Sequence, residues 1–223
     1  MLTVWNAIKT RRSIRKFLPS NIPDEMVTQM LEAARLGPSA SNRQPWRFVV
    51  VRDKDIKKEL CRICMGQKFI EEAPVIFVCF GDMNRYSIDA KKKRRQEFRD
   101  SDVLETLSGK VANPEYQAYM DAQPVPPRED LITPVIANTY IAIEHIVLMA
   151  QALGLGSCWV GGFENARDLN RLFNLPDSLI PVIVLPVGYT DGRNPPQRPR
   201  LAHKDIVIEP ETKHKDALSL SVK

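Results

Sequence analysis

The chain has 223 residues, 43% hydrophobic and 26% charged, an ordinary globular balance that excludes a wholly disordered protein. Its net charge of +5 is moderate, so what matters is where the cations sit. Three histidines argue against a histidine metal site or a Ser-His-Asp triad, and four unevenly spaced cysteines (Cys61, Cys64, Cys79, Cys158) do not form a secreted disulfide framework. No apolar run approaches the roughly 20 residues of a membrane span. Met1–Trp5 leads straight into helix-like sequence without the regions of a signal peptide, so the expected address is the cytoplasm.

In chain order, Pro23, Asp24 and Glu25 open a helix, with acids where the helix dipole favours them. Val27, Met30, Leu31 and Ala34 recur at helical spacing, and Gly37-Pro38 stops the run. Phe48–Val51 reads as a buried strand, Val75–Phe80 as a second and Val182–Leu185 as a third, with Ile206–Ile208 as a further candidate. Residues 85–130 are charged and poor in strand signals, and end in a Pro-stiffened crossing at Gln123–Pro127. This stretch is expected to be a helical insertion or lid. A long apolar helix is expected from about Pro134 to Leu153. Its apolar residues cover more than one face, which predicts burial on all sides, as a central helix or in a dimer interface. Strands and helices alternate without repeats or Gly/Ser linkers, so 1–223 reads as one α+β or α/β three-layer domain.

Three segments carry the chemistry. Arg11, Arg12, Ser13 and Arg15 concentrate guanidiniums and a hydroxyl at the end of a short helix, a donor set that suits phosphate oxygens. Taken alone it is equally a solvated helix end. The turn Pro38-Ser39-Ala40-Ser41-Asn42-Arg43-Gln44-Pro45-Trp46 packs hydroxyls and carboxamides that could line a planar heterocycle, or form a plain polar connection. Gly154–Phe163 is glycine-rich, and Gly161-Gly162 lets backbone approach a ligand closely, although its spacing is not a dinucleotide fingerprint.

Together and in this order, R-R-S-x-R, P-S-A-S-N-x-Q-P-W and G-L-G-S-C-W-V-G-G-F resemble the nitroreductase/flavin reductase family of FMN enzymes, over about residues 3–84 and 131–208. The resemblance implies a three-layer α-β-α sandwich and a homodimer with flavin at the interface. It also implies a central helix at that interface and a C-terminal arm, 201–223, exchanged between subunits. Arg11, Arg12, Ser13 and Arg15 would touch FMN, and Arg198 and Arg200 would complete its phosphate site. Pro38, Ser39, Ala40, Ser41, Asn42 and Gln44 would reach the flavin held mainly by the partner. Trp159, Val160, Gly161 and Gly162 would face the ring. A family asparagine is missing, and Gln67 or Lys68 stands in its place. Gly161 occupies the position of a glutamate found beside N5 in some members.

The implied activity is hydride transfer from NADH or NADPH through flavin N5 to a small organic acceptor by a ping-pong mechanism. The protein would supply no catalytic acid or base and no metal. The alternatives on this fold are a dehydrogenase, a reductive dehalogenase or a flavin-modifying enzyme, and outside catalysis a flavin-binding protein. Cys61-x-x-Cys64 lacks a second pair and reads as structural thiols. Lys91–Arg95 is followed by Glu97, Asp100, Asp102 and Glu105, and so reads as a mixed-charge solvated helix rather than a nucleic-acid site. His145 reads as a core or interface residue.

Overall fold

The computed structural model describes residues 2–101, 113–193 and 195–208. Four strands, β1 (Trp46–Val51), β2 (Val75–Asp82), β3 (Gly156–Ser157) and β4 (Leu179–Gly188), form one antiparallel sheet in the order β1-β2-β4-β3. The described helices are α1 (Val4–Thr10), α2 (Asp24–Arg35), α3 (Lys54–Ile63), α4 (Phe69–Glu72), α5 (Ile88–Asp100), α6 (Pro114–Ala122), α7 (Arg128–Ala152), α8 (Arg167–Leu172) and α9 (His203–Ile206).

β2 explains the layering. All eight of its residues are buried, and successive side chains point to opposite faces. Val75, Phe77 and Cys79 enter a core with α2 and α7, while Ile76, Val78 and Phe80 enter a second core with α3, α4 and α8. The result is the expected three-layer α-β-α sandwich. A register shift between Cys79 and Phe80 against β4 turns both Val182 and Ile183 toward the α7 side. β4 carries Pro181 and Pro186, which conceal its length in the sequence. Its outer neighbour β3 has only two residues, so most of that edge needs no ladder donor.

Three expectations need correction. The long helix begins at Arg128, six residues before the expected start, and contains Pro134. Buried Leu131 and Val135 and the Arg128 Nη2 bond to the Asp177 carbonyl (2.7 Å) hold the turns on either side of the proline. The same helix is long and apolar enough to cross a membrane by length and composition, although polar residues interrupt any continuous run. Within one chain it is not buried all round. Val135, Thr139, Ala142, Ile143, Ile146 and Ala150 are sealed against sheet and α2, whereas Ile132, Tyr140 and Ile141 are exposed.

The third correction concerns the candidate strand at 206–208. Ile206 closes helix α9, and Val207 and Ile208 continue as extended chain outside any strand. Leu201, Ile206, Val207 and Ile208 are all exposed, so an isolated chain gives this apolar stretch nothing to pair with. The rest of the expected arm, 209–223, lies outside the described residues. In the 85–130 stretch the described parts hold α5, α6 and the first turn of α7, with an irregular crossing at 123–127, while 102–112 lie outside the described residues.

Candidate functional site

The basic segment after α1 is fixed by the sheet. Thr3 caps α1 by accepting from the Asn6 amide, and the chain leaves the helix at Arg11 in extended conformation. Ser13 then forms a parallel bridge with Ser157, where the Ile14 amide donates to the Ser157 carbonyl at 2.9 Å. Gly156 allows this approach, since a Cβ there would stand 2.5 Å from Ile14 Cγ1. Two sequence motifs far apart in the chain therefore run side by side.

Arg11, Arg12, Ser13 and Arg15 line a narrow cleft of about 70 Å³ together with Pro195, Pro196, Gln197, Arg198 and Arg200. The early and late basic clusters thus line one cleft. No carboxylate lines this cleft, and Arg11, Arg198 and Arg200 have no ion-pair partner among the described residues. Arg12 is partly occupied, since its Nη1 donates to the carbonyls of Lys9 and Arg11 at the end of α1. A second opening of about 410 Å³ shares Ser13, Arg15 and Pro195 and adds Thr190 and Asp191, so the segment is accessible from both sides. Burial raises the Cys158 thiol above its ordinary range, with Arg15 and Arg11 pulling the other way. Burial likewise raises the Glu144 carboxyl on α7, opposed by Arg11 and His145.

Beyond β3 the chain passes Trp159, whose ring meets Tyr140 of α7 edge-on at 5.5 Å, and Val160, which bridges to Val184. Gly161 and Gly162 follow, both exposed. A Cβ on Gly161 would meet nothing within 4 Å, which leaves open space over this backbone. At Gly162 a Cβ would lie 3.2 Å from Met65 Sδ, so the exposed turn after α3 borders the same surface. Sequence reading did not pick out Met65. Its φ of +62° is visible only in the folded chain. Next to it, Gln67 is half-buried and donates from Nε2 to the Cys64 carbonyl, while Lys68 is exposed and pairs with Glu71 at 3.3 Å.

The 38–44 loop is held by a different set of contacts. The Ala40 amide donates to Asn138 Oδ1 on α7 at 2.8 Å, and the Asn138 amide nitrogen donates to Tyr86 Oη and the Pro134 carbonyl. Ser39 Oγ accepts from the Gln44 amide, and Gln44 Nε2 donates to Asn42 Oδ1. Arg43 stacks 4.4 Å over Tyr86 and donates to the Arg85 carbonyl, while Arg85 Nε donates back to the Arg43 carbonyl at 2.8 Å. Ser41, Asn42 and Gln44 all have positive φ. Asparagine tolerates this region, but for serine and glutamine it costs about 1–2 kcal/mol each. Pro38, Ala40, Ser41 and Asn42 nevertheless remain exposed. Sequence reading missed Asn138 and Tyr86, which anchor the loop. A carboxamide on the apolar stripe of a helix was the available signal.

No hydrogen bond or ion pair among the described residues joins loop and cleft. The loop is tied to Asn138, whereas α1 is tied to the far end of α7 by the bond from Gln151 Nε2 to Thr10 Oγ1. At 1.5 Å of rise per residue these anchors are about 20 Å apart along the helix.

The four thiols are free and buried. Burial pushes the Cys64 thiol up to about 12 and Cys61 in the same direction, the opposite of what an activated redox pair requires. Among the described residues no group of histidine, cysteine and acidic side chains could hold a metal.

An antiparallel sheet between two helical layers, with a basic cleft and a glycine-rich surface beside it, defines a class of α+β proteins with an anion-binding edge. The chain belongs to the nitroreductase family, whose model matches residues 8–189. It is similar to a protein named NADH dehydrogenase from Thermus thermophilus, at 32% identity over 93% of this chain and 96% of that one. It is also similar to an FMN reductase [NAD(P)H] from Bacillus subtilis, at 26% identity over 92% of this chain and 73% of the relative. Among solved structures, one described as a nitroreductase in complex with FMN from Exiguobacterium sibiricum superposes with a TM-score of 0.75. Its identity is 25%, and the match covers 94% of this chain and 98% of that one.

Proposed function

We propose that this chain is an FMN-dependent oxidoreductase that takes hydride from NADH or NADPH and passes it to a small organic acceptor such as a nitroaromatic or quinone. The observation that carries the reading is the convergence of Arg11, Ser13, Arg15, Arg198 and Arg200 on one cleft without a carboxylate. That donor set fits a flavin phosphate with its ribityl chain and ring. The names of the relatives and the FMN bound in the Exiguobacterium protein support it.

In this reading Arg11, Arg198 and Arg200 hold the phosphate through charge-assisted bonds, and Ser13 donates to the ribityl hydroxyls. Arg15 would offer positive charge to the bound ring, which favours its reduced form. Gly161 and Gly162 bring backbone close to the reactive face and leave room for a flat acceptor. When bound, FMN supplies the redox chemistry, accepting hydride from one substrate and passing it to the next. No side chain needs to move a proton in the hydride step, which agrees with the scarcity of histidine.

The active unit is a homodimer. Val4, Trp5 and Ile8 of α1, a helix packed against α7, and Ile132, Tyr140 and Ile141 of α7 are large apolar side chains left exposed, which a partner would cover. A second copy would also bring the exposed 38–44 loop to a cleft with which its own chain makes no hydrogen bond or ion pair among the described residues. The decisive experiment is acid release of cofactor from the purified protein, followed by anaerobic titration with NADH and NADPH. Release of FMN and bleaching by either donor is the expected result. Released FAD, or no flavin after reconstitution, would overturn the reading.

A further inference from the structure

Met65 follows helix α3 in a conformation its side chain resists. Its φ is +62° and that of Gly66 is +71°, the left-handed region that a residue with a Cβ avoids. Three bonds hold the turn there: the Gly66 amide to the Cys61 carbonyl (2.9 Å), the Met65 amide to the Arg62 carbonyl (3.2 Å), and Gln67 Nε2 to the Cys64 carbonyl (3.0 Å). A fourth, from the Glu164 amide to the Ile63 carbonyl (3.1 Å), ties the chain after Gly161-Gly162 to the same end of α3. The thioether is thereby kept out of the core and against the glycine pair. Met65 is 64% exposed, and its Sδ stands 3.2 Å from where a Cβ on Gly162 would lie. A Cβ on the neighbouring Gly161 would meet only open space.

That placement sets this sulfur apart. Among the residues whose side chains are described, Met65 is the one exposed methionine, since Met30 and Met83 are buried and Met26 and Met149 half-buried. The four thiols are buried as well. A soft, flexible thioether packs well against flat aromatic molecules. In the flavin-reductase reading above, Gly161 and Gly162 face the reactive ring, so Met65 stands at the rim of the space an acceptor enters. A face open to water also admits dioxygen. When no organic acceptor is bound, dioxygen takes two electrons and two protons from the reduced holoenzyme and leaves as hydrogen peroxide. A sulfur lone pair then forms an S–O bond, the O–O bond breaks, and the second oxygen leaves as water with both protons. Sulfur loses two electrons and the peroxide gains them. The product is the sulfoxide, polar where the thioether was apolar.

We propose that Met65 is an oxidation site at the flavin face, and that its sulfoxide weakens the binding of flat apolar acceptors. This rests on the flavin-reductase reading and adds to it a response of the site to its own peroxide. The strained turn then has a use, because it holds the sulfur where that peroxide emerges.

The test uses the FMN-loaded protein in two treatments: turnover with NADH in air without an organic acceptor, and hydrogen peroxide added without donor. Peptide mass spectrometry reads the sulfoxide at each methionine. Met65 should be oxidised about tenfold faster than Met26 or Met149 in both treatments, because attack follows exposure. The oxidised protein should keep its FMN and its kcat, while KM for menadione rises about fivefold, the scale of a lost sulfur–aromatic contact. Met65→Gln, polar without peroxide, should show the raised KM from the start. Met65→Leu, apolar without sulfur, should show no peroxide-dependent rise. Equal oxidation of Met65 and Met26 in either treatment would overturn the proposal. So would a KM that stays the same in the oxidised wild type, or one that rises equally in peroxide-treated Met65→Leu. If neither NADH nor NADPH bleaches the wild-type flavin, the flavin-reductase reading fails, and the peroxide treatment still decides whether Met65 is the oxidation site.

Discussion

Asn138→Ala tests whether the loop is held in its strained form by one buried side chain. Asn138 is 7% exposed, and its carboxamide makes three bonds: to the Ala40 amide, Tyr86 Oη and the Pro134 carbonyl. At about 1 kcal/mol net for each bond, their removal costs about 3 kcal/mol if nothing else moves. The loop can move, however, because Ser41 and Gln44 each store about 1–2 kcal/mol in left-handed backbone. Once the Ala40 amide is released, relaxing these residues returns part of the loss. The expected change in unfolding free energy is therefore about 1–2 kcal/mol, smaller than the bond count. It should come with lost amide protection across 40–44 and weaker FMN retention. Denaturant unfolding, hydrogen exchange and flavin titration on one preparation measure all three. Tyr86→Phe is the control, since it removes one bond, keeps the ring under Arg43, and should leave the loop and flavin intact. Unchanged protection at 40–44 in Asn138→Ala, or flavin binding equal to that of Tyr86→Phe, would refute the reasoning.

Arg11→Ala and Arg200→Ala should each weaken FMN binding by about 1.5–3 kcal/mol without unfolding the chain, as read by flavin titration. Cys64 links stability to alkaline pH. Burial raises its thiol from 9.0 to about 12, so below pH 9 it is protonated in both states and costs nothing. Between pH 9 and about 12 the unfolded thiol ionises and the folded one resists, so stability falls as pH rises, by up to about 1.4 kcal/mol per pH unit. Cys64→Ala should flatten that limb in denaturant titrations from pH 8 to 11. Truncation after Arg200 should lower thermal stability, dimer content and FMN occupancy together, because it removes exposed Leu201, Ile206, Val207 and Ile208. A stable, fully yellow monomer by light scattering and absorbance would refute that coupling.

The sequence carried most of the frame. Alternation in β2 and the apolar stripe of α2 are local patterns, and local patterns survive in a sequence. The same holds for the two arginine clusters, which needed only a fold to join them. Other features were hidden for definable reasons. The prolines in β4 read as breakers because the shortness of β3 is a tertiary fact. Pro134 read as a helix start because nothing local announces the buried Leu131 before it. Asn138 and Met65 matter through partners distant in sequence, so their roles were invisible until those partners were placed. The 206–208 segment has the composition of a strand, but a strand needs an edge, and the single chain provides none there.

The pairing of Ser13 with Ser157 has a kinetic consequence. Contacts between α1 and the end of α7, such as Thr10 with Gln151, join residues 141 positions apart. Closing so large a loop costs entropy that nearby contacts cannot repay until the sheet has formed. The basic segment therefore docks late, after β2 and β4 have paired and β3 has an edge to join. A nascent chain would pass through most of its folding with its arginines unassembled and no affinity for cofactor. Loading with flavin then reports completed folding of both ends of the chain, and a rate of colour acquisition during refolding measures the last docking step directly.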